Sequence, residues 1–205
     1  MNENRIWIPS IEIESANGTR EVLLYTRHLM NRRIFLTGHI NTETADQFLS
    51  QFLYLEKETD ELPISVFINS PGGEVNAGLV IYDLIQGSRN EVNIITVGKA
   101  ASMAAVILAG GQKGRRFILS HSKVMIHEPL IADGVGGSAT SIKNISDSIL
   151  ETKAITNGIL AKHTGKTIEE IDEATAYDHY MNAGESVEFG ICDKILDGAD
   201  IYKVS

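Results

Sequence analysis

The segment Ile-Ser-Val-Phe-Ile-Asn-Ser-Pro-Gly-Gly, residues Ile64–Gly73, joins a short apolar run directly to a pair of glycines. An apolar run of this length that is bounded by turn residues is typical of a strand buried on both faces. Two successive glycines allow positive φ angles and let the backbone approach a ligand closely. The segment therefore predicts a buried strand over Ile64–Ile68 that ends in a glycine turn, although Pro-Gly-Gly alone also fits a plain tight turn.

Strand-like and helix-like segments alternate along the chain around this strand. Further strands are predicted at Arg33–Leu36, Val92–Val97, Arg116–Leu119 and Lys123–Ile126. Helices are predicted from Asn41 or Thr42 to about Lys57, over Ala77–Gln86 and over Met103–Leu108. This alternation with short links favours an α/β fold with a mostly parallel, buried sheet. No Gly-x-Gly-x-x-Gly turn follows a strand and no Walker A motif is present, so a nucleotide-binding fold is not indicated.

The longest helical pattern runs from Ser138 to about Thr164. Ser138 can cap its start, and Gly165 can end it in the left-handed conformation. A helix of that length spans ~40 Å at the usual rise, which is longer than a small domain needs. We therefore expect it to protrude and to pack against another subunit, with the glycine-rich residues 134–137 as a flexible joint.

Composition limits the class of protein. The chain has 205 residues, of which 43% are hydrophobic and 22% charged, as is ordinary for one globular domain. Its net charge of −9 argues against nucleic acid as the main partner. No apolar stretch reaches the ~20 residues of a membrane span, the first residues show no secretory pattern, and Cys192 is the single cysteine. We therefore expect a reduced, cytoplasmic setting and no membrane.

Two smaller patterns lie outside this framework. Residues 6–8 are apolar, which hints at a partner surface, and Ser10–Glu21 alternates around an Asn17-Gly18 turn signal typical of a hairpin or a flexible loop. The basic clusters Arg27–Arg33 and Lys113–Arg116 are short, so we expect each to be a solvated face or a contact between subunits.

Ser102 is the candidate nucleophile. It follows a predicted strand, precedes a predicted helix and is surrounded by alanines, which leave room for a carbonyl group to approach. The backbone N–H of Met103 at the start of that helix could form one half of an oxyanion hole, and the N–H of Gly73 could form the other. The competing interpretation is that Ser102 is only the N-cap of the helix.

His127 and Asp178 complete the candidate constellation. His127 ends the apolar run Val124–Ile126, where a strand end can open onto a cleft, and it could take a proton from a serine. Asp178 lies among aromatic residues, where a partly buried carboxylate needs a partner. Taken alone, His127 also fits a hydrogen-bonded structural histidine. No two histidines stand four residues apart, so no metal site is predicted.

Together these segments resemble one family. From about Tyr25 to Lys194 the chain is similar to ClpP, the proteolytic subunit of ATP-dependent Clp proteases (peptidase family S14). The motifs that carry the resemblance are Arg33–Gly38, Ile68–Gly73, Ile81–Asp83, Gly98–Met103, Met125–His127 with Pro129-Leu130, His163–Gly165 and Asn182–Gly190.

The resemblance implies an architecture. It is an α/β fold, a crotonase-like spiral of β-β-α units in a single domain over residues 1–205, with the predicted Ser138–Thr164 helix as a protruding handle. Residues 1–24 would be an axial-loop segment, and residues 25–205 would form the head and the handle. Heptameric rings would stack in pairs through their handles into a tetradecamer that encloses a chamber.

The resemblance also assigns roles to single residues. Ser102 would be the nucleophile of a serine endopeptidase, His127 its general base, and Asp178 the group that orients the imidazole. The backbone N–H groups of Gly73 and Met103 would form the oxyanion hole.

A partner is implied as well. An AAA+ unfoldase such as ClpX, ClpA or ClpC would dock on the ring and feed unfolded proteins to it. ATP would be used by that partner, so no cofactor is expected for this chain. The aromatic residues that fit the docking pocket are Tyr54, Phe67 and Phe117.

The chain departs from the family's usual residues at several positions. Glu128 replaces a common glutamine directly after the base, Tyr177 replaces an arginine that pairs across rings, and Ser65 and Gly87 stand where docking aromatics are common. These departures favour, as an alternative, a weakly active or regulatory subunit in a mixed ring with a second ClpP paralog. A crotonase-type acyl-CoA enzyme, which needs no serine nucleophile, is the remaining alternative.

Overall fold

A computed structural model describes residues 9–15, 18–58, 62–131 and 134–204, so the apolar residues 6–8 lie outside the described part. The strands are β1 Ser10–Ser15, β2 Gly18–Leu23, β3 Arg33–Ile40, β4 Ile64–Gly73, β5 Val92–Ala101, β6 Arg116–Leu119, β7 Lys123–Ile126, β8 His179–Met181 and β9 Lys194–Leu196. The helices are α1 Leu24–Met30, α2 Thr42–Glu58, α3 Val75–Gln86, α4 Met103–Ala109, α5 Ala139–Thr164, α6 Ile168–Thr175 and α7 Ala183–Phe189, followed by a 3-10 helix at Asp200–Lys203.

Strands β3 to β9 form one sheet in the order β3-β4-β5-β6-β9, with β7 beside β5 and β8 beside β7. Its pairings are parallel except that of β7 with β8. The predicted α/β fold with a mostly parallel sheet is therefore confirmed. The apolar runs that open β4 and β5 are buried throughout, as expected for central strands covered by helices.

The central strands are longer than predicted. The glycine turn predicted after Ile68 is wrong, because Gly72 and Gly73 lie within β4 and pair with His39 and Ile40 of β3. β3 and β4 both continue beyond a shift of register in their pairing. Beyond it β5 changes neighbours, since its first half pairs with β6 whereas Lys99–Ala101 pairs with β7. The sheet divides at this point, and the second half of β5 leads directly to Ser102.

Helix α4 lies in the core. All of its residues, Met103–Ala109, are buried, and it contacts β4, β5 and β7. Its alanines present little bulk, which lets the helix lie close to the strands. The residue that precedes it, Ser102, is thereby attached to a rigid element.

Helix α5 is the predicted handle, and its ends are confirmed. The Ser138 hydroxyl accepts a hydrogen bond from the Ser141 N–H at 3.2 Å, and Gly165 ends the helix with a φ of 78°. Its 26 residues span about 39 Å. Its buried residues are Thr156, Asn157 and Leu160, all in the second half, so the first half projects from the body. Neither α5 nor another described helix is long and apolar enough to cross a membrane.

The N-terminal hairpin is also confirmed. Strands β1 and β2 pair antiparallel from Ser10 opposite Leu23 to Ser15 opposite Gly18. Residues 16 and 17 of the connecting turn lie outside the described residues. The backbone of Gly18 has a φ of 107°, a conformation that favours glycine at a hairpin turn.

The interpretation of the two basic clusters as solvated faces is wrong for one arginine in each. Arg32 and Arg116 are buried. The Arg32 guanidinium donates to the carbonyls of Leu55 and Leu62 and to Asn90 Oδ1. Burial is tolerated because carbonyl and carboxylate oxygens satisfy the planar fork of N–H donors, an arrangement that the run of basic residues could not reveal.

Candidate active site

Ser102 lies at the junction of β5 and α4 in a conformation that is rare for a residue with a side chain. Its φ is 53° and its ψ is −124°, and its N–H donates to the Met125 carbonyl at 2.8 Å. It occupies the N-cap position, but its hydroxyl makes no cap hydrogen bond. Backbone strain of this kind costs of order 1–3 kcal/mol and clusters at functional sites. The side chain is therefore directed away from the helix end and is available for another partner.

The hydroxyl of Ser102 lies against His127, which in turn lies against Asp178. The distance from Ser102 Oγ to His127 Nε2 is 2.8 Å, and that from His127 Nδ1 to Asp178 Oδ1 is 3.1 Å. The His127 side chain is 16% exposed and that of Asp178 is 55% exposed. The structure thus brings together the three side chains that the sequence selected.

The register of the sheet explains why these residues meet. In the parallel pair of β5 and β7, Ala101 lies opposite Met125. Ser102, which follows Ala101, therefore lies beside the end of β7, which His127 directly follows. In the antiparallel pair of β7 and β8, Ile126 lies opposite His179, which brings Asp178 to His127. Three residues distant in sequence therefore converge at the end of β7.

This arrangement selects a tautomer of the imidazole. A carboxylate accepts hydrogen bonds and does not donate them when ionised, so Asp178 favours a proton on His127 Nδ1. The lone pair on Nε2 then accepts the hydrogen bond from the Ser102 hydroxyl. In chemical terms, the serine proton faces a base that is already oriented to receive it.

The glycine pair at the end of β4 lies directly against the serine. A Cβ atom on Gly72, whose φ is 90°, would come within 2.6 Å of the Ala101 carbonyl oxygen and 2.9 Å of the Met103 nitrogen. A Cβ atom on Gly73 would lie 2.0 Å from the Ile40 carbonyl oxygen. Only glycine at position 72 therefore allows the end of β4 to approach the start of α4, where the first N–H groups of the helix have no intrahelical partner.

An apolar pocket adjoins the serine and the histidine. It is lined by Val75, Met103, Val106, Ile126, Pro129, Thr156 and Leu160 beside Ser102 and His127. A wider cavity of about 760 Å³ continues from it between Val75-Asn76 and Leu130-Ile131 towards α5. The wide cavity has room for an extended chain, whereas the pocket beside Ser102, at about 20 Å³, has room for no more than a water-sized group.

Sequence reasoning missed a lysine that reaches this region. Lys153 on α5 lies 2.7 Å from a carboxylate oxygen of Glu128, the residue after His127. The Glu128 N–H also donates to the Thr175 carbonyl at the end of α6. No local pattern links Lys153 with Glu128, because they are far apart in sequence.

The residues predicted to dock an unfoldase do not form one exposed surface. Tyr54 is exposed on α2, and its hydroxyl donates to Glu58. Phe67 and Phe117 are each 7% exposed, in a cluster that Ile201 and Val204 of the C-terminal segment cover. The two phenylalanines therefore lie together beneath the chain's own C-terminal segment, and Tyr54 lies outside that cluster.

The positions that lack the usual aromatics have other contacts. The Ser65 hydroxyl donates to the Val204 carbonyl at 3.1 Å, and the Asn93 amide donates to the same oxygen at 2.7 Å. Gly87 lines an apolar groove of about 510 Å³ between α2 and α3, together with Leu53, Val80 and Leu84. Ser65 thus helps to hold the segment that covers Phe67 and Phe117.

Comparison with known families agrees with this geometry. The family model described as Clp protease matches residues 16–199, which is most of the chain. The matched region contains the sheet, the handle and the Ser102 site. Clp proteases are peptidases, and a serine beside an oriented histidine and a glycine pair is consistent with that chemistry. The chain belongs to the Clp protease family.

Proposed function

We propose that this chain is the proteolytic subunit of an ATP-dependent Clp protease and acts as a serine endopeptidase on unfolded proteins. The observation that carries the proposal is the chain of contacts from Ser102 Oγ to His127 Nε2 and from His127 Nδ1 to Asp178 Oδ1, at 2.8 and 3.1 Å. Such an array activates a hydroxyl that would otherwise be a weak nucleophile.

In the first step His127 Nε2 removes the proton from Ser102 as Oγ attacks the peptide carbonyl carbon. Asp178 stabilises the imidazolium that forms and keeps its orientation. The carbonyl oxygen becomes an oxyanion, for which the N–H groups of Gly73 and Met103 are the proposed donors. The imidazolium then protonates the leaving amine, and the C–N bond breaks to leave an acyl-serine.

In the second step water releases the acyl group. His127 removes a proton from water as the water oxygen attacks the ester carbon. The bond between that carbon and Ser102 Oγ then breaks, His127 returns the proton to Oγ, and the acyl group leaves as a carboxylic acid that ionises in water. The apolar residues Val75, Leu130 and Ile131 of the wide cavity support a preference for apolar side chains near the cut.

Assembly and energy supply belong to the same proposal. The projecting half of α5 carries the exposed apolar residues Ile142 and Leu150, which supports its packing against another subunit in a ring assembly. We propose stacked heptameric rings that an AAA+ unfoldase supplies with unfolded chains. ATP would be used by that partner, and this chain would need no cofactor of its own.

The experiment is intact-mass spectrometry after exposure to a fluorophosphonate, beside a Ser102→Ala variant. One adduct on the wild type and none on the variant is the expected result. Peptide hydrolysis should be lost in the variant while its assembly is unchanged. Hydrolysis that persists in Ser102→Ala would refute the assignment of the nucleophile.

The alternative of a regulatory subunit in a mixed ring has a specific observation in its favour. Tyr177, at the position of the expected inter-ring arginine, is 86% exposed. A tyrosine cannot supply the guanidinium that, by the resemblance, pairs across rings, so Tyr177 does not form that ion pair. Labelling of Ser102 only after a second ClpP paralog is added would favour this alternative over an autonomous enzyme.

A further inference from the structure

A buried serine hydroxyl lies two residues before the first glycine of the pair that ends β4. Ser70 is 0% exposed, and its Oγ accepts a hydrogen bond from the Gly72 N–H at 3.0 Å. Serine hydroxyls often bind a nearby backbone group of their own chain in this way. Pro71, between the two, has no N–H to donate. The hydroxyl therefore satisfies the first backbone donor that follows Ser70.

The residue that this hydroxyl holds lies against the candidate nucleophile. The backbone of Gly72 has a φ of 90°, and a Cβ atom on it would come within 2.7 Å of Ser102 Cβ and 2.9 Å of the Met103 nitrogen. The main chain of Gly72 is thus packed directly on the junction of β5 and α4. A change in the position of Gly72 would therefore alter the spacing between the glycine pair and Ser102.

The other end of the glycine pair is fixed by strand β3. Gly73 lies opposite Ile40, and the Glu74 N–H donates to the Ile40 carbonyl at 2.8 Å. The peptide group that joins Gly72 to Gly73 is therefore held on one side by the Ser70 hydroxyl and on the other by β3. Glycine is conformationally permissive, so a pair of glycines keeps one orientation only where its neighbours impose it.

We propose that Ser70 is a positioning residue for the oxyanion hole, whose hydroxyl holds the glycine pair so that the Gly73 N–H is directed at the oxyanion that forms beside Ser102. This inference rests on the proposed serine-peptidase function. Hydrogen-bond donors stabilise an oxyanion most when they are oriented before the reaction begins. The Ser70 hydroxyl contacts Gly72, so it acts through the glycine pair.

Loss of the Ser70 hydroxyl has two consequences that can be measured separately. A buried Gly72 N–H without its acceptor lowers the free energy of unfolding, as would the loss of any buried hydroxyl that has a partner. A misdirected oxyanion donor, in contrast, weakens binding of the transition state more than binding of the substrate. The proposed role therefore predicts a fall in kcat with little change in KM.

The experiment compares Ser70→Ala with the wild type in the assembled protein, without an unfoldase, on a peptide with apolar residues near the cut. We expect kcat to fall about 10- to 100-fold and KM to change by less than about twofold. A peptide boronic acid forms a tetrahedral adduct on Ser102, in which one oxygen takes the place of the oxyanion. Its inhibition constant should rise by the same factor by which kcat/KM falls.

A matched control is available in the same strand. Ser65 lies near the start of β4, is also buried, and its hydroxyl donates to the Val204 carbonyl at 3.1 Å. Ser65→Ala removes the same atom away from the glycine pair, and it should leave kcat and the affinity for the boronic acid unchanged. An equal loss of kcat in both variants, a rise in KM that accounts for the whole loss, or an unchanged kcat in Ser70→Ala would each overturn the proposal.

A second readout separates this inference from the proposed function. Hydrogen–deuterium exchange of residues 69–75 can be followed by mass spectrometry in the three substrate-free proteins. The Gly72 and Gly73 amides should exchange at least about tenfold faster in Ser70→Ala than in the wild type and in Ser65→Ala.

If the wild type shows no Ser102-dependent hydrolysis, the proposed function fails, and the exchange rates still test whether Ser70 holds the glycine pair. Identical exchange in all three proteins would refute the role of Ser70 even in an active enzyme.

Discussion

At the scale of single residues, one buried arginine determines how several elements meet. The Arg116 side chain is 1% exposed and donates to both carboxylate oxygens of Asp193. It also donates to the carbonyls of Ala109 and His163, near the ends of α4 and α5. Burial by itself would raise the pKa of Asp193, but the hydrogen bonds and charge of Arg116, with a hydrogen bond from Lys113, lower that pKa to about 2.

Asp193→Asn should lower the free energy of unfolding at pH 7 by about 3–5 kcal/mol, because it leaves the buried Arg116 charge uncompensated. In the wild type, the lowering of the Asp193 pKa from 3.8 to about 2 corresponds to about 2 kcal/mol of stability. That stability is fully present above pH ~4 and is lost as the pH falls through about 2. The free energy of unfolding, measured with urea between pH 7 and pH 2, should fall less on acidification in Asp193→Asn than in the wild type. An equal fall in both proteins would contradict the stabilising role of the ionised Asp193.

At the scale of elements, the glycine pair at the end of β4 and the start of α4 depend on each other. Gly72→Ala should reduce the rate of fluorophosphonate labelling of Ser102 by about 100-fold, because small displacements of reacting groups have effects of that size. The reason is the 2.7 Å separation between the new Cβ and that of Ser102. Gly114→Ala is the control, since Gly114 has a similar φ of 86° and no atom near its missing Cβ. Equal losses in the two variants would indicate general backbone strain.

The C-terminal 3-10 helix is a second element whose packing makes a prediction. Ile201→Asp should expose the cluster that contains Phe67 and Phe117, because Ile201 packs against it. Binding of an apolar fluorescent dye should increase, and the free energy of unfolding should fall by about 1–2 kcal/mol. Tyr202→Asp, at a neighbouring residue that is 80% exposed, should change neither quantity. Unchanged dye binding in Ile201→Asp would show that the segment is not what covers the cluster.

At the scale of the whole molecule, the projecting half of the handle carries exposed apolar side chains, among them Ile142 and Leu150. Leu150→Asp should weaken self-association at least tenfold, since burying a leucine contributes about 1.5–3 kcal/mol. Ser146→Asp adds the same charge to an exposed polar position of the handle and should leave association nearly unchanged. Sedimentation velocity over a range of concentrations gives the comparison, and identical mass distributions for wild type and Leu150→Asp would contradict a role for this face.

The sequence determined much of the framework by short-range patterns. The apolar run that opens Ile64–Gly73 predicted the central strand, although the glycines continue that strand and do not form the predicted turn. Ser138 and Gly165 marked both ends of the handle. These features were readable because backbone conformation and capping depend on residues a few positions apart. Ser102, His127 and Asp178 were selected by motif and by resemblance, and no local pattern gave the distances between them.

Only the tertiary structure decided which distant residues meet. The registers of β5, β7 and β8 bring Ser102, His127 and Asp178 to one point. Long-range packing also brings the Lys153 ammonium into contact with the Glu128 carboxylate, and it packs the C-terminal segment against Phe67 and Phe117. The physical reason is that a side chain's burial, charge partner and pKa depend on neighbours in space. Those neighbours are set by sheet register and helix packing, which a linear pattern of residue types does not encode locally.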